Sequence, residues 1–348
     1  MTTTTFDWAI IGAGPAGIAT VGKLLDAGVN PSKIIWFDPH FTLGDFGSKW
    51  YNVPSNTKVA LFKQFLRSCQ SFDFDRLNHS ATLFTLPDTD TCELNIVADV
   101  LQQVSNHLAA KVTTQHTMID TIKHLNPDWQ LSSSEGTVTA SNVVLAVGAE
   151  PISFDYPTLT VIPLEIAVNH DAIPHHCHAD DVIAVFGSSH SAILAMKNII
   201  ERTPVNKIIN FYLEPLRFAV DKGDYILYDD TGLKGTTATW AKESFDQFIP
   251  EKIERYYSDQ NAIATQLARC NKAIYAVGFQ RREIPSEPAI HYQDYSNQTG
   301  IIRQGLYGIG IAFPELKTNR EGISEYRVGL WKFMDYLHRV MPLWLENA

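Results

Sequence analysis

Short apolar runs that stop at glycine recur along this chain and predict the ends of buried strands. Residues 6–11 are mostly apolar and lead into a Gly-rich turn, as is typical of a parallel strand covered on both faces. Residues 16–25 carry apolar side chains at helical spacing, and Gly28 marks the expected helix end. Residues 33–37 form a second apolar run. The pattern therefore predicts a β-α-β unit.

The same pattern occurs a second time. Residues 182–186 are an apolar run, 187–192 a Gly/Ser turn, 193–200 a helical segment and 207–212 another apolar run. Strand-like runs that end in Ala146-Val147-Gly148 and Ala276-Val277-Gly278 complete the correspondence. An internal repeat of this kind indicates two similar domains. The predicted fold class is α/β, with two Rossmann-like, three-layer (ββα/βαβ) dinucleotide-binding domains.

The remaining segments are less specific. Helices are predicted over 61–67 and 95–108, short strands over 112–129 and 130–139, and a buried strand over 142–147. Residues 43–56 are a Gly, Pro and Asn loop. The Gly/Thr segment 231–237 is either a surface loop or a lid over a substrate. Residues 321–345 are amphipathic and aromatic, which favours a helix that packs on a core or forms a homodimer contact over one that contacts a membrane, because aromatic stripes usually face a core.

Charge and hydropathy exclude several classes of partner. The formal net charge of −10 and the lack of a Lys/Arg run argue against nucleic acid. No stretch approaches the roughly 18 apolar residues of a membrane span, so no membrane partner is expected. The N-terminus has no signal-peptide pattern, and a cytoplasmic protein is the expectation.

Cysteine and histidine spacing predicts neither a disulfide nor a metal site. Cys69, Cys92, Cys177 and Cys270 lack the CxxC or CxxxxC spacing of a redox pair. The three histidines of the segment 174–178 flank Cys177, and adjacent residues on a loop do not readily converge on one ion. Reduced thiols and no metal are expected.

The first turn has the residues that a pyrophosphate requires. Gly12 allows the tight turn, Gly14 allows close approach of the backbone, and Gly17 allows close packing of helix on strand. The helix N-terminus then presents free N–H groups to phosphate. Asp38 ends the second strand and can accept hydrogen bonds from ribose hydroxyls.

The second turn keeps only the first of these glycines. Ser189 and Ala192 stand at the later positions, where small residues still let a backbone approach. Glu214 after the next strand favours the unmodified ribose of NADH, whereas Arg217 could meet the 2′-phosphate of NADPH. A vestigial nucleotide fold remains an alternative.

The chain resembles the superfamily of pyridine nucleotide-disulfide oxidoreductases and flavin monooxygenases. The resemblance rests on residues 10–17, Asp38, 144–151, 182–192 and 275–278. It implies an FAD domain formed by residues 1–165 and 281–348, with an NAD(P) domain of residues 166–280 inserted in it. It also implies that a late segment, residues 308–312, contacts the flavin side of FAD. Ile311 occupies the place of a usual Asp there, so one ribityl contact is missing.

The subfamily depends on the loop around Trp50. Alignment with the disulfide reductases puts Gly47 and Asn52 where those enzymes carry their redox cysteines, which excludes a dithiol mechanism. The segment 47–52 is similar to the Gly-x-x-Trp-Tyr segment that lies beside the flavin in flavin-dependent monooxygenases, although their FxGxxxH fingerprint is missing. The resemblance suggests Trp50, Tyr51 and Phe313 as walls of a flavin pocket.

The predicted function is an FAD-dependent NAD(P)H oxidoreductase, most similar to monooxygenases. A hydride would pass from nicotinamide to flavin N5 and on to a small-molecule substrate or acceptor. The alternatives are a flavin or quinone-type reductase without oxygen transfer and a non-catalytic nucleotide-binding redox sensor. No catalytic residue is predicted. The predicted cofactor-binding residues are Gly12, Ala13, Gly14, Pro15, Ala16, Gly17, Asp38, Pro39, Trp50, Met118, Ala146, Gly148, Gly187, Ser188, Ser189, His190, Ser191, Glu214, Arg217, Gly278, Gly310, Ile311 and Ala312.

Overall fold

The computed structural model describes residues 5–77, 81–246 and 249–348. Residues 1–4, 78–80 and 247–248 fall inside the predicted domains and lie outside this description. The helices are α1 (Pro15–Asp26), α2 (Asp45–Ser48), α3 (Val59–Leu66), α4 (Phe74–Leu77), α5 (Leu94–Ala109), α6 (Leu164–Ala167), α7 (His190–Arg202), α8 (Gly235–Ala241), α9 (Gln260–Gln266) and α10 (Leu330–Glu346).

The strands fall into two large sheets and three short ribbons. They are β1 (Thr5–Ile11), β2 (Ile34–Phe37), β3 (Thr113–Gln115), β4 (Thr121–His124), β5 (Trp129–Ser133), β6 (Gly136–Leu145), β7 (Ala149–Pro151), β8 (Thr160–Val161), β9 (Val182–Phe186), β10 (Lys207–Tyr212), β11 (Val220–Asp221), β12 (Ile226–Leu227), β13 (Ile253–Tyr257), β14 (Lys272–Tyr275), β15 (Phe279–Arg281), β16 (Ser286–Glu287), β17 (Ile301–Arg303), β18 (Leu306–Gly308), β19 (Glu315–Thr318) and β20 (Ser324–Arg327).

Each large sheet contains five parallel strands in an equivalent order. The first has β18-β6-β1-β2-β3. The second has β8-β14-β9-β10-β13. In both, a strand–turn–helix unit (β1 to α1, β9 to α7) starts at the middle strand. The predicted α/β fold with two Rossmann-like domains is therefore confirmed.

The first sheet lies between two different layers. Alternate residues of β1 face opposite sides, so Trp8 and Ile10 join a core with α1, α3, α5 and α10. Ala9 and Ile11 join a second core with the antiparallel strands β4 and β5. β6 serves both layers, because its first half pairs with β5 and its second half with β18. This arrangement is the predicted ββα layering.

The chain crosses between the domains twice, through one short antiparallel ribbon of β7 and β15. β8, at residues 160–161, already pairs with β14 in the second sheet. The first crossing therefore precedes the predicted boundary at residue 165. The physical reason is that a two-residue edge strand carries no periodicity that a sequence pattern could detect. The division into an FAD and an NAD(P) domain stays a prediction.

The C-terminal segment forms a packing helix. β20 and a turn at Gly329 come first, and α10 follows with one face buried against α1 and α3. Trp344 is fully buried and stacks on Tyr307 at 4.7 Å between ring centroids. This face supplies the core of the first domain. None of the helices in the described ranges is long and apolar enough to cross a membrane.

A set of polar contacts, here called the interdomain clasp, joins the second domain to the C-terminal hairpin β19–β20 and to α10. Its residues are Asp229, Asp230, Thr231, Glu325 and Lys332. Thr231 donates from both its N–H and its hydroxyl to Glu325 Oε1, at 2.9 and 2.6 Å. Lys332 Nζ lies 2.7 Å from a carboxylate oxygen of Asp229 and of Asp230. The segment 231–237 is therefore partly an interface and partly the start of α8.

Candidate functional site

Gly12 closes the first turn in a conformation that only glycine tolerates. Its φ is +108°, and a Cβ there would lie 2.3 Å from the carbonyl oxygen of Ala146. The Gly12 N–H donates to Phe37 O at 2.8 Å, and the Ala146 N–H donates to Ile11 O at 2.9 Å. These bonds fix the turn against three parallel strands.

The second turn repeats this geometry almost atom for atom. Gly187 has φ +116°, and a Cβ there would lie 2.3 Å from Ala276 O. Its N–H donates to Phe211 O at 2.8 Å, and the Ala276 N–H donates to Phe186 O at 2.9 Å. The two turns are thus equivalent elements, with Gly187 matching Gly12 and Ala276 matching Ala146.

The two helices differ in how closely they approach their turns. A Cβ on Gly17 would lie 1.9 Å from Gly12 O, so no other residue fits there. The equivalent Ala192 already has a Cβ, and it lies 3.4 Å from the Cβ position of Gly187. The second turn can therefore have alanine in place of the third glycine, because its helix lies farther from the turn.

Gly14 is the glycine that internal packing does not explain. Its φ is −75°, which any residue adopts, and a Cβ there would meet only Leu43 O, at 3.6 Å. It caps α1 without a side-chain hydrogen bond, and Pro15 follows at the first helical position. The first-turn N–H groups of α1 are therefore open to an anion that approaches over Gly14.

The Asp38 side chain stabilises the first turn through hydrogen bonds to backbone N–H groups. Its carboxylate is buried and accepts hydrogen bonds from the N–H groups of Ala13 (2.7 Å), His40 (2.9 Å) and Phe41 (2.8 Å). Three charge-assisted bonds of this kind hold the turn and the loop after β2 together. The predicted contact with ribose hydroxyls stays a prediction.

The other residues predicted for FAD gather at the carboxyl edge of the first sheet. Gly310 follows β18, and a Cβ there would lie 2.8 Å from Ala16 Cβ. Ile309 N–H donates to Leu145 O, which ties the segment that contains Ile311 and Ala312 to the end of β6. Met118, after β3, is 67% exposed, and Pro39 after β2 is exposed as well. An exposed Met at this edge is available to an apolar ring.

Polar side chains surround the second turn. Ser188 Oγ donates to the carbonyl oxygen of Glu214 at 2.8 Å. Glu214 and Arg217, the two rival determinants of nicotinamide choice, form an ion pair at 2.7 Å. Ser189 is exposed and caps α7 without a side-chain bond. Ser191 lies in the first turn of the same helix. The sequence reasoning did not anticipate that Glu214 and Arg217 are partners.

His190 begins α7 and stays neutral near pH 7. Burial, and after it the nearby Lys234 ammonium, lower the pKa of the imidazole from 6.5 to about 4. Its Nδ1 is buried without a hydrogen-bond partner among the described residues. A neutral imidazole adds no charge to the phosphate site.

The loop 43–56 contacts the first turn and the second domain. A Cβ on Gly44 would lie 3.5 Å from Gly14 Cα, and Trp50 packs against the core of the second domain. Trp50 also meets Phe279 of the ribbon edge-on, at 6.1 Å between ring centroids. Tyr51 and Phe313 join two other cores, so the three suggested pocket walls do not form one cluster.

The ribbon is tied to this loop by an arginine that sequence reasoning missed. Arg282 donates to Asp45 at 2.7 Å and to Glu150 at 3.1 Å. Gly148, which Arg282 Nη1 approaches, has φ +74°, a left-handed conformation that favours glycine. Gly278 has φ +109° where the chain returns to the ribbon, and its carbonyl accepts the Ile152 N–H at 3.0 Å.

Two further side chains that sequence reasoning missed lie under the turns. Trp36 Nε1 donates to Gly12 O at 2.9 Å, and Asn210 Nδ2 donates to Gly187 O at 2.8 Å. Both stand one residue before the phenylalanine that accepts the turn N–H. Alignment of the two repeats would have matched these positions, but the different side chains conceal their common role.

The four cysteines lie in described parts of the chain and are unpaired. Burial raises the pKa of the Cys92, Cys177 and Cys270 thiols to about 11 and raises that of Cys69 as well. Thiols with raised pKa values contain little thiolate at neutral pH and are poor redox nucleophiles. This agrees with the expected lack of a dithiol mechanism.

Comparison with known proteins agrees with this geometry. The chain is 31% identical to Monooxygenase AgnR1 of Paecilomyces divaricatus over 97% of each protein. It superposes on a flavin-containing monooxygenase from Stenotrophomonas maltophilia with a TM-score of 0.64 at 12% identity, covering 99% of each chain. It also superposes on the bacillithiol disulfide reductase Bdr (YpdA) from Staphylococcus aureus with a TM-score of 0.63 at 10% identity, covering 99% and 100% of the two chains. At such low identity, the two structures show the fold alone.

Residues 9–209 match the family described as pyridine nucleotide-disulphide oxidoreductase, which is more than half of the chain. The resemblance inferred from the motifs is confirmed, and the protein is an oxidoreductase of flavoprotein type. The chain belongs to the pyridine nucleotide-disulphide oxidoreductase family.

Proposed function

We propose that this protein is an FAD-dependent NAD(P)H oxidoreductase of the monooxygenase type. The observation that carries the proposal is Gly14, a glycine that neither backbone strain nor packing demands, at the open N-terminus of α1. A residue without a side chain is needed there if the pyrophosphate of FAD rests on the backbone. The residues at this edge therefore fit an FAD.

A bound FAD would supply the redox chemistry, taking a hydride from a nicotinamide and passing electrons to an acceptor. The chain itself binds and orients. Gly14 and the α1 N-terminus would hold the pyrophosphate, and Met118 would lie against the adenine. The equivalent turn at Gly187 would hold the pyrophosphate of NAD(P)H, since its exposed Ser189 matches Gly14. The loop 43–56 contacts both domains and would place the two cofactors relative to each other.

The monooxygenase type is supported by the name of the 31% identical relative and by the cysteines. The cysteines are unpaired, and their thiols have raised pKa values, which argues against electrons leaving through a protein disulfide. Oxygen or another small molecule is then the acceptor.

The first test is the replacement Gly14→Ala. Its φ of −75° and the open space around it predict a folded protein whose thermal midpoint without FAD matches the wild type. The added methyl group obstructs the pyrophosphate, so FAD affinity should fall at least about tenfold. Flavin absorbance of the purified protein and fluorescence titration with FAD measure this. A variant with unchanged FAD affinity would contradict the placement of FAD at this turn.

The second test separates oxygen transfer from simple reduction. NADH or NADPH should bleach the yellow protein without air, and turnover in air with labelled oxygen should place the label in an accepted substrate. Bleaching followed by hydrogen peroxide alone, with no labelled product from any oxidised substrate, would favour a reductase. A protein that takes up no FAD would favour the nucleotide-binding sensor.

A further inference from the structure

The equivalence of the two turns gives each residue after the second strand a partner in the first domain. Gly12 N–H donates to Phe37 O, and Gly187 N–H donates to Phe211 O. Tyr212 therefore stands where Asp38 stands in the first domain. Glu214, the acid that the sequence offers for this role, lies two residues further along the chain.

The charged group at this position has opposite sign in the two domains. The first domain has the Asp38 carboxylate there, and the second has the Arg255 guanidinium against Tyr212. In the second, the Arg255 guanidinium carbon lies 4.5 Å from the centroid of the Tyr212 ring and 5.2 Å from that of Phe245. Rings on a guanidinium fix its plane and leave its N–H edge for acceptors.

Only the Nε group of Arg255 donates a side-chain hydrogen bond among the described residues. Arg255 pairs in register with Asn210 on the neighbouring strand, and its Nε donates to Asn210 Oδ1 at 2.9 Å. Nη2 is buried and has no hydrogen-bond partner among the described residues, and Nη1 donates in none of the side-chain hydrogen bonds among them. Because Asn210 also donates to Gly187 O, this guanidinium is anchored to the turn that would carry the dinucleotide phosphates.

The described carboxylates nearby are already paired with other cations. Glu214 pairs with Arg217 at 2.7 Å. Glu254, the neighbour of Arg255 in β13, faces the opposite side of the sheet and pairs with Lys207 and Arg269. No carboxylate of the described residues lies within ion-pair distance of Arg255, so this end of the site has one uncompensated positive charge.

We propose that Arg255 binds the phosphate monoester on the adenosine ribose of the second dinucleotide, so that this site selects NADPH over NADH. The inference rests on the proposed function, which places a nicotinamide dinucleotide at the Gly187 turn. A planar guanidinium with free Nη groups suits a phosphate better than ribose hydroxyls, whose recognition uses a carboxylate such as Asp38. Glu214 does not oppose the phosphate, because Arg217 neutralises it.

The test compares the binding of 2′,5′-ADP and 5′-AMP to the FAD-loaded protein by calorimetry. The wild type should bind 2′,5′-ADP at least about tenfold more tightly than 5′-AMP. Arg255→Gln should abolish this preference and leave the affinity for 5′-AMP unchanged, while Arg255→Lys should keep part of it. Unchanged affinity for 5′-AMP shows that the turn is still formed, and thermal melting checks folding.

Arg217→Gln is the matched control, because Arg217 is the other cation near the ribose. The preference should survive in this variant, although weakened, because Arg217 then no longer neutralises Glu214. Equal affinities in the wild type, or a preference lost in Arg217→Gln but kept in Arg255→Gln, would overturn the inference. A wild type that prefers 2′,5′-ADP through Arg255 but whose flavin no nicotinamide reduces would contradict the proposed function alone. Failure to bind either nucleotide would count against both.

Discussion

The two Gly-rich turns of this protein share a backbone and differ in their side chains. In each, a left-handed glycine lies against the carbonyl of an alanine, and its N–H donates to a phenylalanine on the second strand. Above this common frame, the first turn has Gly14, Gly17 and a buried carboxylate, and the second has Ser189, Ala192 and a guanidinium. On the proposed function, the common frame would hold a dinucleotide in each domain, and the side chains would decide which dinucleotide binds.

The three glycines of the first turn differ in how much space the fold leaves for a side chain. Gly12 and Gly17 would each place a Cβ within 2.3 Å of a backbone oxygen, so the fold itself requires them. Gly14 has room for a Cβ, so the fold does not require a glycine there, and we propose that the ligand does. The second turn keeps the fold-required Gly187 and has, at the position of Gly14, a serine whose hydroxyl can donate to phosphate.

The largest expected effect comes from replacing the shared glycine in either turn. Gly12→Ala and Gly187→Ala each force a Cβ to 2.3 Å from a backbone oxygen and should cost more than about 4 kcal/mol of unfolding free energy. If folded protein is recovered, Gly12→Ala should lack flavin, whereas Gly187→Ala should keep flavin that NADPH reduces slowly. Urea unfolding and the flavin spectrum measure these effects.

Gly28→Ala is the matched control for the left-handed backbone. Its φ is +83°, and a Cβ there would meet nothing within 4 Å, so only conformational strain of about 1–2 kcal/mol is expected. Equal losses at Gly28 and Gly12 would show that the close carbonyl is not what requires the glycine. Equal loss of flavin from both turn variants would contradict separate roles for the turns.

A smaller effect is expected from Asp38→Ala, which tests the buried carboxylate whose place in the second domain is taken by Tyr212. It leaves three N–H groups without their acceptor, and we expect a loss of about 3–4 kcal/mol. Asp38→Asn should lose less, because one oxygen remains for His40 and Phe41. If the two variants unfold alike in urea, the bonds to His40 and Phe41 do not matter for stability.

The smallest expected effect is a pH dependence confined to the second turn. His190 stands where the first turn has Pro15, and its pKa is lowered to about 4 by burial and Lys234. The unfolded chain takes up the proton near pH 6.5, so this contribution to stability is full above that pH and is lost as the pH falls toward 4. Of this contribution, we expect about 2 kcal/mol to be lost by pH 5.

His190→Asn should remove that part of the pH dependence and leave the rest. Unfolding by urea at a series of pH values, in the wild type and the variant, measures the difference. Parallel curves for the two proteins would show that the imidazole titrates alike in the folded and unfolded chains. Lys234→Met should make the wild-type slope shallower, since it removes the second cause of the lowered pKa.

The sequence by itself determined the architecture of this protein. Apolar runs that end at glycine located the central strands and turns of both domains, because a buried parallel strand and the tight turn after it each restrict the residues allowed. It also predicted a site in the first domain, because Asp38 and the glycines lie close together along the chain.

Only the tertiary structure decided how the second site is charged. Arg255, Asn210 and Tyr212 come together across two paired strands, and the sequence separation of 43 residues between Tyr212 and Arg255 conceals their contact. The ion pair of Glu214 with Arg217 likewise removed the local signal for NADH. Local spacing specifies the backbone of a turn, whereas the net charge around it depends on which distant side chains the sheet brings into register.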